Sequence, residues 1–120
     1  MTFKAADQSE DFIGLYFGQY SNPGSLKFTQ QLIGQYWELN CVNKSIEVFY
    51  VSFDRDFGEY KKHVEHMPWI LLPWQTPFGR KLKMKFNATE VPKFVILRKN
   101  MSLLTQEGKE ILLRGGAHAI

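Results

Sequence analysis

Ile46-Glu47-Val48-Phe49-Tyr50-Val51-Ser52-Phe53 decides the fold. Side chains alternate between the two faces of an extended strand, so Ile46, Val48 and Tyr50 point one way while Phe49, Val51 and Phe53 point the other. Both faces are largely apolar, and a strand of that kind belongs to a sheet covered on both sides. Two further segments, Phe12 to Gly18 and Phe94 to Leu97, also read as buried strands.

Between the first two strands, roughly Gly24 to Leu39, the residues Leu26, Ile33 and Trp37 with Leu32, Tyr36 and Leu39 form a wide apolar stripe at helical spacing. Strand, helix, strand implies a parallel crossover. A second helix is expected over about Asp56 to His66 and a third over Pro77 to Asn87. After Leu97, Arg98-Lys99-Asn100-Met101 reads as a turn and Ser102-Leu103-Leu104-Thr105 as the returning strand of an antiparallel hairpin. Lys109 to Arg114 fits a short helix or an edge strand equally well. No repeat or low-complexity tract interrupts the chain. The expectation is a loose start over residues 1–10 and a single α/β domain over residues 11–120, with a mixed sheet and helices on both faces.

Composition narrows the function classes. The chain has 120 residues with a single cysteine, Cys41. One cysteine cannot close an intrachain disulfide, form a dithiol pair or supply a multi-thiolate zinc site. Only an intermolecular disulfide remains, so the expected state is a monomer with a Cys41-linked dimer as the exception. A chain this long buries roughly two-thirds of its unfolded surface, enough for one core. The longest apolar run, Pro68-Trp69-Ile70-Leu71-Leu72-Pro73-Trp74, is far short of a membrane span, and the polar opening Met1 to Asp11 is no secretory signal. The expected compartment is the cytosol or nucleus. Fifteen Lys+Arg against twelve Asp+Glu leave a net charge of +3, too small to argue for nucleic acid.

The segment Ser21-Asn22-Pro23-Gly24-Ser25 lies beyond the carboxyl end of a parallel strand, the edge where open α/β sheets bind ligands. Asn22 is a good N-cap, Pro23 suits the first helical position, and Ser25 can accept a first-turn amide. Local structure alone explains these choices. A functional reading also exists, in which the free amides of the helix start take an anionic or thiolate group.

Leu15-Tyr16-Phe17 followed by a short loop and a helix, then Val51-Ser52-Phe53-Asp54, Met67-Pro68-Trp69 with Leu72-Pro73, Lys85-Phe86-Asn87, and Val91-Pro92 before a strand, resembles the tryparedoxin and nucleoredoxin branch of the thioredoxin superfamily. The resemblance covers about residues 12 to 114. It implies a thioredoxin-like mixed sheet, with Pro92 as the cis-proline facing the active-site loop. The strand that precedes Phe12 in the family has little room here. The family's WCPPC motif falls on Ser21-Asn22-Pro23-Gly24-Ser25, so the attacking cysteine becomes Asn22, the resolving cysteine becomes Ser25, and only Pro23 matches. Thiol–disulfide exchange requires a thiolate, which neither an amide nor an unactivated hydroxyl provides. Cys41 lies about sixteen residues past Ser25, roughly 24 Å along a helix, at an end whose dipole disfavours the thiolate.

Other residues have readings of their own. His63 and His66, with Glu59 and Glu65, have part of a metal site's spacing but no obvious third ligand, and are expected as solvated helix residues. Arg80, Lys81, Lys83 and Lys85 alternate with Leu82, Met84 and Phe86, as in an amphipathic helix or a docking patch for an acidic partner. Trp69, Trp74 and Phe78 gather in a Pro-bounded segment, and the resemblance places Trp69 near the active-site face.

Three functions compete. The first is a redox-inactive domain that keeps its groove for a protein partner, lined by Tyr20, Ser21, Asn22, Ser25, Trp69, Glu90 and Val91 and shaped by Pro92, with no cofactor or metal. The second is an oxidoreductase working through Cys41, or a site for a small anion such as glutathione at Ser25 and the helix amides. The third is a structural adaptor using the Arg80 to Lys85 face. The first is the expectation adopted.

Overall fold

The computed structural model describes residues 10–39, 44–100 and 102–115. Along the chain come β1 (Glu10–Gly18), α1 (Pro23–Leu39), β2 (Lys44–Ser52), α2 (Phe57–Val64), β3 (Ile70–Leu71), α3 (Pro77–Lys85), β4 (Lys93–Arg98), β5 (Leu103–Thr105) and α4 (Gly108–Gly115). Five strands form one mixed sheet in the order β3-β2-β1-β4-β5. β2 runs parallel to both β1 and β3, whereas β4 is antiparallel to β1 and β5. The chain is therefore a thioredoxin-like α/β domain, with the crossover and the hairpin where the residue pattern puts them.

The alternation of side chains sorts the core into two layers. Phe12 and Tyr16 of β1, Ile46, Val48 and Tyr50 of β2, and Phe94 and Ile96 of β4 share a face with Phe28 and Leu32 of α1, Tyr60 of α2 and Leu112 of α4. Leu15, Phe17, Val51, Val95 and Leu97 occupy the opposite face with Leu82 of α3 and Phe86 just after it. Register explains the tight centre: Tyr16 lies opposite Tyr50 on one side and Phe94 on the other. Gly14 makes room for this packing, because a Cβ there would sit 2.7 Å from the Phe94 ring.

Several expectations change. The buried stripe of α1 centres on Phe28 and Leu32, whereas Leu26 and Trp37 face outward, Trp37 being 67% exposed. β3 is a strand that the sequence reading does not contain; it follows Pro68-Trp69 and pairs with Phe49 and Tyr50. Lys109 to Arg114 resolves as helix, and Gly108 at its start lets α4 approach β4, since a Cβ would lie 2.8 Å from the Phe94 carbonyl oxygen. Leu82 of α3 and Phe86 at its carboxyl cap are buried one turn apart, while Met84 between them points outward and is 81% exposed. Cys41 lies outside the described residues, as does nearly all of the 1–10 start.

Candidate functional site

The loop from Gln19 to Ser25 joins the carboxyl end of β1 to α1. Its backbone turns on the Asn22 N–H donating to the Gln19 carbonyl at 3.1 Å. Asn22 then caps the helix: its Oδ1 accepts the Ser25 N–H at 2.8 Å and its carbonyl accepts the Leu26 N–H at 3.1 Å. Pro23 takes the first helical position, where no N–H is needed. Ser25 is fully buried. Its hydroxyl accepts the Gln19 N–H at 3.2 Å rather than an amide of its own first turn, so it ties the two ends of the loop together.

Facing the loop is the segment before β4, in which the Val91-Pro92 peptide bond is cis. The two meet at Gly24, where a Cβ would stand 3.4 Å from Pro92 Cδ. Around this contact Ser21 and Glu90 are exposed, and Tyr20, Asn22, Val91 and Pro92 are half-buried. Glu90 and Pro92 also border a cleft of about 200 Å³ whose other walls include Lys93, Glu107 and Lys109. Trp69 belongs elsewhere. It is 6% exposed and packs edge-on against Tyr16 and Tyr36 in the core, so it supports this end of the sheet and does not line the groove. Ser25 likewise lies beneath the surface that it was expected to form.

Under the loop runs a chain of polar groups that sequence reasoning missed. The Tyr16 hydroxyl donates to the Ser25 carbonyl at 2.9 Å and lies 2.6 Å from Thr29 Oγ1. Thr29 Oγ1 is 2.8 Å from His63 Nε2, and His63 Nδ1 is 2.7 Å from the Tyr50 hydroxyl. Tyr50 donates to Asp54 Oδ2 at 2.8 Å and to the Gly18 carbonyl at 3.0 Å. Asp54 also accepts the Ser52 hydroxyl at 2.6 Å and the Tyr20 N–H, and its Oδ1 lies 3.6 Å from His63 Nδ1. The Trp74 indole N–H donates to the Asp54 carbonyl at 2.9 Å. Both flanks of the loop, Gly18 with Tyr20 at its start and Ser25 at its end, are thus held by one buried network.

Its electrostatics follow from burial and contact. Burial pushes the Asp54 carboxyl up, but the facing His63 ring and hydrogen bonds from Ser52, Tyr20 and Tyr50 outweigh it and hold the group below the usual carboxylate range. Burial, reinforced by the nearby Asp54 charge, drives the Tyr16 and Tyr50 phenols well above the ordinary tyrosine value. Both phenols remain protonated donors. His63 is buried inside this network and not solvated as its helix neighbours suggest, whereas His66 is exposed. Among the described residues no group of three or more His, Cys, Asp or Glu side chains could hold a metal ion.

The basic helix face is divided. Arg80, Lys81 and Lys85 are exposed, while Lys83 lays its ammonium over the Phe53 ring at 4.1 Å. Phe78 is exposed on the same helix. No helix among the described residues is long and apolar enough to cross a membrane.

Comparison with known proteins adds three findings. A family model described as Thioredoxin-like matches residues 10–103. The chain is 33% identical over 108 residues to a probable nucleoredoxin 3 of Arabidopsis thaliana, covering 89% of this chain and 28% of that protein. It is 30% identical over 115 residues to a probable nucleoredoxin 3 of Oryza sativa subsp. japonica, covering 95% and 24%. The chain spans roughly a quarter of the length of these curated relatives. Among solved structures, native tryparedoxin I from Crithidia fasciculata matches with a TM-score of 0.79 at 21% identity, over 94% of this chain and 78% of that one. Tryparedoxin I from Leishmania major gives 0.81 at 19% identity, over 95% and 78%.

Proposed function

The chain belongs to the thioredoxin-like family, and from that premise we propose that it is a member without dithiol chemistry whose groove takes an extended segment of a protein partner. One observation carries the reading. The positions to which the resemblance assigns the family's two cysteines, Asn22 and Ser25, are both engaged in shaping the loop: Asn22 caps α1 and Ser25 closes the loop onto Gln19. Neither can attack a disulfide. The contact between Gly24 and Pro92 persists without them.

A groove of this kind holds a peptide through strand-like backbone hydrogen bonds, which do not depend on sulfur. The half-buried and exposed residues around the contact, Tyr20, Ser21, Asn22, Glu90 and Val91, are the candidate contacts, with Pro92 setting their spacing. Ser25 and Trp69 support them from beneath. Phe57, 54% exposed and beside Trp74, adds apolar surface close to Asp54.

Two measurements test the reading. Purified protein is expected not to accelerate the reduction of insulin by dithiothreitol; robust turnover, persisting in Cys41→Ser, overturns the redox half. A partner captured by the full chain is expected to lose affinity at least about tenfold with Ser21→Arg or Val91→Arg, an effect of roughly 1.4 kcal/mol. Binding indifferent to these changes but lost with Lys81→Glu and Lys85→Glu selects an adaptor that docks through α3.

A further inference from the structure

The buried network under the loop can be read as a count of protons. Its spine is a line of five contacts: Ser25 carbonyl to Tyr16, Tyr16 to Thr29, Thr29 to His63 Nε2, His63 Nδ1 to Tyr50, and Tyr50 to Asp54. Each contact consumes one hydrogen, and a hydroxyl owns one hydrogen. The three hydroxyls supply three, and the carboxylate supplies none. All five contacts are made only when the imidazole supplies two. The single Tyr50 hydrogen goes to Asp54 Oδ2, charged and at 2.8 Å nearer than the Gly18 carbonyl at 3.0 Å, so none is left to donate to the ring. Thr29 and Tyr16 then pass their hydrogens along the line to Ser25.

We propose that His63 and Asp54 form a buried, proton-linked switch on the 19–25 loop, in which the doubly protonated ring completes the line and loss of one proton releases the Ser25 carbonyl from Tyr16. The direction of the break follows from geometry. Asp54 Oδ1 stands 3.6 Å from His63 Nδ1, so the remaining proton stays on that nitrogen. Nε2 becomes an acceptor, the Thr29 hydroxyl turns to donate to it, and Thr29 Oγ1 takes the Tyr16 hydrogen. The Ser25 carbonyl is left without a side-chain donor at the first turn of α1, and one of the loop's ties is lost, while the Gln19 N–H stays on the Ser25 hydroxyl, the Ser25 N–H on Asn22 and the Tyr20 N–H on Asp54.

The titratable groups facing the ring are Tyr16 from β1, Tyr20 from the loop, and Tyr50 and Asp54 from β2 and the residues after it. The phenols of Tyr16 and Tyr50 are held well above the ordinary range and Asp54 below its own, so those three keep their protonation near neutral pH. Thr29, facing from α1, does not titrate. The switch concerns the loop itself and does not depend on the partner proposed above.

Nuclear magnetic resonance of labelled protein tests it. Imidazole nitrogen shifts of His63 and the carbonyl carbon shift of Ser25 are followed together over roughly pH 5 to 9. Both nitrogens are expected to show the protonated pattern at the acidic end, and Nε2 to lose its proton at the midpoint where the Ser25 carbonyl moves. In Thr29→Val, His63 still titrates but the Ser25 response disappears; in His63→Gln the response is flat. A singly protonated ring at the acidic end overturns the proposal. So does a Ser25 shift that follows pH in Thr29→Val as it does in the parent, a measurement that stands even if His63→Gln does not fold.

Discussion

Replacing Asp54 with asparagine removes a charge and one acceptor while leaving shape nearly unchanged. The carboxylate accepts hydrogens from Ser52, Tyr50 and the Tyr20 backbone and faces the His63 ring. A carboxamide offers one oxygen, so whichever way it turns, its NH2 meets a group that was donating. One lost hydrogen bond to a charged acceptor costs about 1.5–3 kcal/mol. Breaking a buried pair from one side costs about 3–5 kcal/mol where the partner stays charged. These overlapping terms point to a loss of about 3 kcal/mol, or roughly 10 °C in Tm for a domain of this size. The pH dependence supplies a second signature. Because the folded carboxyl is held below its usual range, its contribution is fully present above the unfolded value and is lost as pH falls through the folded one. Urea unfolding of the two proteins at neutral pH and in acid below the usual carboxylate range measures both effects. The gap is expected to be present at neutral pH and to narrow only as pH falls below the usual carboxylate range, where Asp54 itself takes up a proton. A difference below about 1 kcal/mol at neutral pH, or one that does not narrow on acidification, would refute the assignment of Asp54 as the network's charged anchor.

Two further outcomes follow from local geometry. Asn22→Ala leaves the Ser25 N–H without its cap and is expected to cost about 1 kcal/mol in thermal or urea unfolding; no measurable loss would mean that water replaces the cap at no cost. Gly14→Ala drives a methyl into the Phe94 ring and is expected to cost about 1–3 kcal/mol by the same assay, with the loss relieved when Phe94 is shortened to leucine.

Parity made the sheet legible. Strands with apolar residues at both odd and even positions, as in Ile46 to Phe53, have no solvent face, and the two core layers divide along that alternation. The Asn22 cap was legible because an asparagine before Pro23 has a local mechanism. The buried network was not, because its members come from distant parts of the chain: Thr29 and His63 are 34 residues apart, and Tyr50 and His63 are 13 apart. Seen alone, Lys61-Lys62-His63 beside Glu65 reads as a wet helix face, and only the three-dimensional neighbours of His63 reverse that reading. β3 was invisible for another reason, since two residues carry no period. Trp69 and Ser25 were placed at the surface by their position in the motif, which fixes sequence order but not depth. The outward turn of Trp37 comes from Phe28, which the helical stripe read from Leu26 and Ile33 left out.

The three tryptophans occupy three different environments, and this gives the molecule its own optical reporters. Trp37 is largely in water, Trp69 is sealed in the core, and the Trp74 indole hangs by its N–H from the Asp54 carbonyl beside the loop. Emission from Trp37 should be red-shifted and open to aqueous quenchers, that from Trp69 blue-shifted and shielded. Trp74 alone is coupled to the segment that carries Asp54 and, through it, Tyr20. A protein with Trp37 and Trp69 both replaced by phenylalanine would therefore convert movement of a loop that has no tryptophan of its own into a change in colour.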